Sequence, residues 1–194
     1  MFAHALEKQF LDGSTDYQPP DVDADGGLMP KLARFFPRHS ANVSHRLQLL
    51  PDDGTVPPMP GWQWIHTPGH TPGHVSFWRE TDRVLIAGDA VITTRQESAY
   101  AIAAQSLEMY GPPKYFTPDW QSARTSVQRL AALEPELIIT GHGRAMHGEI
   151  MRHALHTLAD DFDRIAVPDH LQRSMNMGHL QGSNSAGNQS GAIH

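Results

Sequence analysis

Three short apolar runs, each followed at once by a glycine-flanked histidine or aspartate, constrain this chain more than anything else in it. Trp62–His66 (WQWIH) leads into Thr67-Pro68-Gly69-His70-Thr71-Pro72-Gly73-His74. Val84–Ala87 (VLIA) leads into Gly88-Asp89-Ala90, and Leu137–Thr140 (LIIT) into Gly141-His142-Gly143. Short apolar runs bounded by turn residues read as buried strands. The glycines let the backbone turn sharply and approach another group closely. If the three strands point the same way, His70, Asp89 and His142 converge on one edge of a sheet. Imidazole and carboxylate are ligands that suit Zn²⁺. Taken singly, each motif also reads as an ordinary turn with a capping or solvent-facing side chain.

The rest of the chain fits around these strands. His74–Arg79 (HVSFWR) alternates as a further strand, and Arg46–Leu50 reads as a short one. The strands are closely spaced, which predicts an antiparallel or mixed sheet. Thr117-Pro118 reads as a helix start, with Thr117 as N-cap and Pro118 at the first position. Trp120, Ala123, Val127, Leu130 and Ala131 then recur at helical spacing. A second long helix is predicted over Gly148–Ile165, with Ile150, Met151, Ala154, Leu155, Leu158 and Phe162 as its apolar positions. Leu28–Phe36 reads as a short helix and Asp12–Gly27 as a long loop. Ser174–His194 is polar and Gly/Ser-rich, so it lacks the apolar surface to offset the entropy of ordering. The organisation expected is one domain over 1–167 and a disordered tail over 168–194.

Composition removes several classes. The chain has no cysteine, which excludes disulfides, thiol catalysis and Cys-based zinc sites. Any metal would be held by the 13 His or by Asp and Glu. A net charge of −6 with no basic run argues against nucleic-acid binding. No apolar run is long enough to span a bilayer, and the first residues carry no secretory pattern. No membrane partner is therefore expected, and a cytoplasmic location is the default.

HTPGHTPGHVSFW, then LIAGDA, then IITGHG resembles the third, fourth and fifth motifs of the metallo-β-lactamase superfamily, of its glyoxalase-II-like type. The resemblance covers roughly Phe2 to Phe162. It implies an α+β fold of αββα type, a four-layer sandwich of which this chain is the C-terminal part, with a mixed sheet and flanking helices. It implies a metal-dependent hydrolase of an ester, thioester or lactone, acting on a small-molecule substrate. Residue by residue, His70 matches a ligand of the first metal, Asp89 the carboxylate that bridges two metals, and His142 a ligand of the second. His66 and His74 match no ligand and are expected to support the ligand position. Thr67 and Thr71 are expected to brace the loop through hydrogen bonds to backbone. Two segments, Gln96-Glu97-Ser98 and Gly111–Phe116, either border a substrate pocket or are plain connectors.

The chain departs from the family at one point. The first metal motif, T-H-x-H-x-D-H, has no counterpart: Asp169-His170 is the sole D-H pair and His4 stands alone. The expectation is an N-terminally truncated chain. The family implies two zinc ions, whereas this set is expected to hold at most one, weakly, among His70, Asp89 and His142. Catalysis is then expected to be impaired or absent. The alternative is a non-catalytic paralogue or fragment, with a homodimer formed through the sheet face left uncovered.

Overall fold

The structure is a computed structural model that describes residues 1–24, 42–94 and 109–174. Strands β1 (Phe2–Ala3) and β2 (Gln48–Leu49) form a short parallel ladder. Between them lies α1 (Lys8–Leu11). The main sheet has five strands in sequential order: β3 (Gln63–His66), β4 (Val75–Arg79), β5 (Val84–Gly88), β6 (Leu137–Thr140) and β7 (Met146–His147). β3, β4 and β5 pair antiparallel, β5 and β6 parallel, and β6 and β7 antiparallel. The sheet is therefore mixed. β3, β5 and β6 all run the same way, so His66, Gly88 and Thr140 end at one edge.

Two helices are packed against each other beside this sheet: α2 (Trp120–Ala131) and α3 (Gly148–Asp160). The inward row Trp78–Leu85–Ile138 is matched in register across three strands and is at most 4% exposed. It joins Val127 and Leu130 of α2 and Leu155 and Leu158 of α3 in one hydrophobic core. The outward row Trp64–Phe77–Ile86–Ile139 alternates with it, and there Ile139 is 39% exposed.

Several expectations shift. α2 begins two residues later than predicted. Asp119 is its N-cap, accepting the Ser122 N–H at 2.9 Å, while the Thr117 hydroxyl turns back to donate to the Pro113 carbonyl at 2.8 Å. A carboxylate is a charged acceptor that the helix N-terminus favours, so it outcompetes the hydroxyl two residues upstream. The single long helix over 148–165 is two helices, α3 and α4 (Phe162–Ile165), interrupted at Asp161, whose φ and ψ are −103° and 27°. Aspartate favours such interruptions because its side chain bonds locally; here it pairs with Arg164 at 2.6 Å. Ile150 is not an apolar-face residue but 81% exposed. The strand predicted over Arg46–Leu50 is reduced to Gln48–Leu49, preceded by a 3₁₀ turn over Ser44–Arg46. Residues 169–174 are helical. The helix predicted over Leu28–Phe36 and residues 175–194 of the predicted tail lie outside the described residues.

Burial separates two apolar positions that look alike as sequence. Leu85→Ala removes a side chain of 0% exposure and is expected to cost about 2–5 kcal/mol in urea unfolding. Ile150→Ala should stay within about 0.5 kcal/mol of wild type. Equal losses would contradict the described core.

Candidate metal centre

The common direction of β3, β5 and β6 brings the three motifs together. His70 Nε2 lies 3.5 Å from Asp89 Oδ2, and His142 Nε2 lies 3.4 Å from Asp89 Oδ1. Asp89 is thus flanked by two imidazoles, one at each carboxylate oxygen. The side chains of His70, Asp89 and His142 are 17%, 26% and 47% exposed, so the centre opens to solvent on the His142 side.

Asp89 is held by a buried chain of polar groups. Its backbone N–H donates to His74 Nε2 at 3.0 Å. That nitrogen must then be unprotonated, so the proton sits on Nδ1. Nδ1 lies 2.9 Å from the Thr67 hydroxyl and 3.1 Å from the Thr67 carbonyl. The Thr67 hydroxyl meets the Ser76 hydroxyl at 2.9 Å, and Ser76 donates to the Ala87 carbonyl at 3.0 Å. With Ser76 donating onward, Thr67 donates to Ser76 and accepts from His74. The chain begins at Asp89 and ends two residues before it. Thr67 and Ser76 are 1% and 0% exposed, so no solvent competes for these bonds. Gly88 is required here: it has φ of 57°, and a Cβ on it would come within 2.7 Å of His74 Nε2.

The His142 loop is tied to the same strand end. The Gly141 N–H donates to the Gly88 carbonyl at 2.9 Å, and the Thr93 N–H donates to the His142 carbonyl at 2.9 Å. The Thr93 hydroxyl donates to the Arg144 carbonyl at 2.7 Å. A Cβ at Gly141 would collide with the Asp89 carboxylate; only glycine leaves room for that side chain.

The His70 loop has a clamp of its own. The Gly73 N–H donates to Glu7 Oε1 at 2.7 Å, and Tyr17 donates to Glu7 Oε2 at 2.7 Å. His66 Nε2 lies 2.8 Å from the Pro72 carbonyl, and its ring stacks on His4 at 4.2 Å. Thr71 contributes its carbonyl, which accepts from the Gly69 and His74 N–H groups at 3.3 Å each. Glu7, Ser76 and Thr93 are absent from the residues singled out by sequence. Glu7 and Gly73 are 66 positions apart, so no local pattern marks them. Ser76 does carry a signal: a small hydroxyl at the inward position of an alternating strand needs a partner.

A cavity of about 520 Å³ adjoins His70, with Phe10, Tyr17, Tyr115, Phe116 and Trp120 among its lining residues. Of the two segments expected to border a pocket or to connect, 111–116 supplies Tyr115 and Phe116, and 96–98 lies outside the described residues.

The donor set fits a metal in kind. A hydrogen-bonded N–H and carboxylate oxygen sit about 2.7–3.2 Å apart. Two donors on one tetrahedral ion, with bonds of about 2.1 Å, stand roughly 3.4 Å apart. The 3.5 and 3.4 Å separations match the second case. Asp89 Oδ1 is also buried with no hydrogen-bond partner. In number the set is thin. Each position has one imidazole and one carboxylate oxygen, and among the described residues no group of three or more His, Asp or Glu closes around one point.

Residues 8–142 match the model of the metallo-beta-lactamase superfamily, and the chain belongs to that superfamily. It is 47% identical over 165 residues to the "Probable metallo-hydrolase YflN" of Bacillus subtilis (strain 168), covering 85% of this chain and 62% of that protein. It is 26% identical over 143 residues to the "Probable metallo-hydrolase YybB" of the same organism, covering 74% and 52%. The chain thus spans less than two thirds of the length of these curated relatives. The crystal structure of a beta-lactamase domain protein from Burkholderia ambifaria superposes with a TM-score of 0.50 at 21% identity, covering 84% of this chain and 46% of that one. It is similar in fold. Among the described residues, no helix is long and apolar enough to cross a membrane.

Burial lowers the pKa of His70, against a raising effect from Asp89. Burial, assisted by repulsion from His70, lowers that of His74 to about 4. Both rings are therefore neutral at pH 7. An unfolded His titrates near 6.5. Between that value and the folded pKa the unfolded chain binds more protons, so stability rises with pH there. The contribution of His74 is present above about pH 6.5 and is lost as the pH falls toward 4. It amounts to on the order of 2 kcal/mol, discounted for partial exposure. The expected result is a urea midpoint that drops between pH 6.5 and 4 in wild type and drops less in His74→Gln. Parallel curves for the two proteins would remove His74 from this role.

Proposed function

We propose that the chain serves a metal-dependent hydrolase centre for a small ester, thioester or lactone, with His70, Asp89 and His142 as ligands and zinc as the ion. The observation that carries the reading is the Asp89 carboxylate set between two imidazoles, at the spacing of two ligand atoms on one ion, beside a cavity. A divalent ion bound there supplies Lewis acidity and a water acidified to near neutrality. The chain's own residues do the rest. His70 is neutral and keeps its lone pair available. Asp89 is acceptor-only when ionised and is held in place through its amide by His74. The His70 side leads into the cavity, so the acyl part of a substrate lies there. The more exposed His142 side is where water enters and the leaving group departs.

Two protein donors per position are fewer than the three that catalytic zinc usually takes. An ion there would therefore be held weakly, and turnover by this chain would be low. Zinc measured by elemental analysis should track added zinc and be lost to chelator. Asp89→Asn, which serves both positions, should lower zinc retention and p-nitrophenyl ester turnover by at least about tenfold, the loss typical of changing even an outer partner of a ligand. His153→Ala, on the exposed side of α3, should leave both unchanged. Equal zinc and equal turnover in wild type and Asp89→Asn would sink the reading.

A second reading is a non-catalytic protein that pairs with a copy of itself. The half-exposed row Trp64–Phe77–Ile86–Ile139 supports it. Sedimentation at dimer mass that Ile139→Lys abolishes, in a protein without zinc or turnover, would favour it over hydrolysis.

A further inference from the structure

We infer that the cavity beside His70 selects a neutral substrate carrying an apolar acyl arm and rejects one carrying a carboxylate. This rests on the hydrolase reading of the same site and adds the substrate's chemistry to it.

Four features of the cavity point there. Its walls are aromatic: Phe10 stacks on Tyr17 at 4.3 Å with the ring planes 11° apart, and Tyr115 packs on Phe116 at 4.8 Å. Several of its polar groups are engaged within the protein. The Tyr17 hydroxyl donates to Glu7 and the Thr117 hydroxyl to the Pro113 carbonyl. Asp21 pairs with His170 at 3.1 Å and accepts the Asp23 N–H at 3.0 Å. Its fixed charge is acidic: Asp21 is the carboxylate among the described lining residues, and Glu7 lies behind Tyr17. No Lys or Arg is among those lining residues. Its volume, about 520 Å³, lies within the roughly 300–1,000 Å³ range of small-ligand sites.

The physical consequences agree. An alkyl or aryl arm gains by leaving water for aromatic walls. A carboxylate there would lose hydration without gaining a Lys or Arg partner from those lining residues. It would also face like charges, which act against wrong ligands even where they add no affinity for the right one. The reacting carbonyl then lies at the His70 end with its arm toward Phe116.

Trp120 lines the cavity, so binding can be read without turnover. The full-length chain is titrated with p-nitrophenyl hexyl ether, which cannot be hydrolysed, and with ω-(p-nitrophenoxy)hexanoate, its carboxylate counterpart. Tryptophan fluorescence reports binding. The ether should quench saturably, and the carboxylate should bind at least about tenfold more weakly. Trp120→Phe should remove most of the quenching. Gln18→Lys, at an exposed lining position, should strengthen the carboxylate and narrow the gap. Equal or tighter binding of the carboxylate, or quenching that survives Trp120→Phe, would overturn the inference. Turnover of p-nitrophenyl hexanoate is measured separately. The binding preference without turnover supports the ligand class and counts against hydrolysis; turnover with the preference reversed does the opposite.

Discussion

Parallel pairing of β5 with β6 is the constraint on which the site depends. It sets Gly88 beside Thr140 at the strand ends and lets the Gly141 N–H close onto the Gly88 carbonyl. Asp89 and His142 then leave adjacent strands at the same level. β3 reaches that edge through two antiparallel turns of the sheet and brings His70 from the other side. A parallel pair needs a long connection. Here the connection runs through α2, which covers the sheet face carrying Trp78, Leu85 and Ile138. The chain segment that makes the parallel pairing thus also buries the core beneath the site.

Onto this frame the Asp89–His74–Thr67–Ser76–Ala87 chain adds direction. Every hydrogen is assigned by its neighbours, starting from one N–H that can only donate and ending at one carbonyl that can only accept. A buried network of this kind is valuable when fully satisfied and costly when broken. It fixes the backbone of Asp89 without spending either carboxylate oxygen, and both oxygens face imidazole nitrogen. Gly88 and Gly141 make room on the two sides of the same aspartate.

Much of this was legible in the sequence because it is local. A strand followed by a Gly-flanked His or Asp marks both the element and the residue at its end, and three such motifs in order identify the superfamily. Ile150 and Asp119 show where local reading weakens. Helical periodicity cannot tell a core position from an exposed one at the first turn of a helix, and two candidate caps two residues apart compete on hydrogen-bond geometry. Glu7 and Thr93 were not legible, since each acts across 50 or more positions and carries no motif. The cavity was legible only in outline: Tyr115 and Phe116 sit in a segment that also reads as a connector, and they form a wall only together with Phe10 and Tyr17.

The functional account turns on Asp89 shared between His70 and His142. Nitrogen NMR of the imidazole rings during zinc titration tests this without any substrate. The account predicts that Nε2 of His70 and of His142 both shift, while Nε2 of His74, already accepting the Asp89 amide, does not. It also predicts that Asp89→Asn weakens both shifts together. Shifts confined to surface histidines such as His153 and His156, or a His70 response untouched by Asp89→Asn, would contradict it.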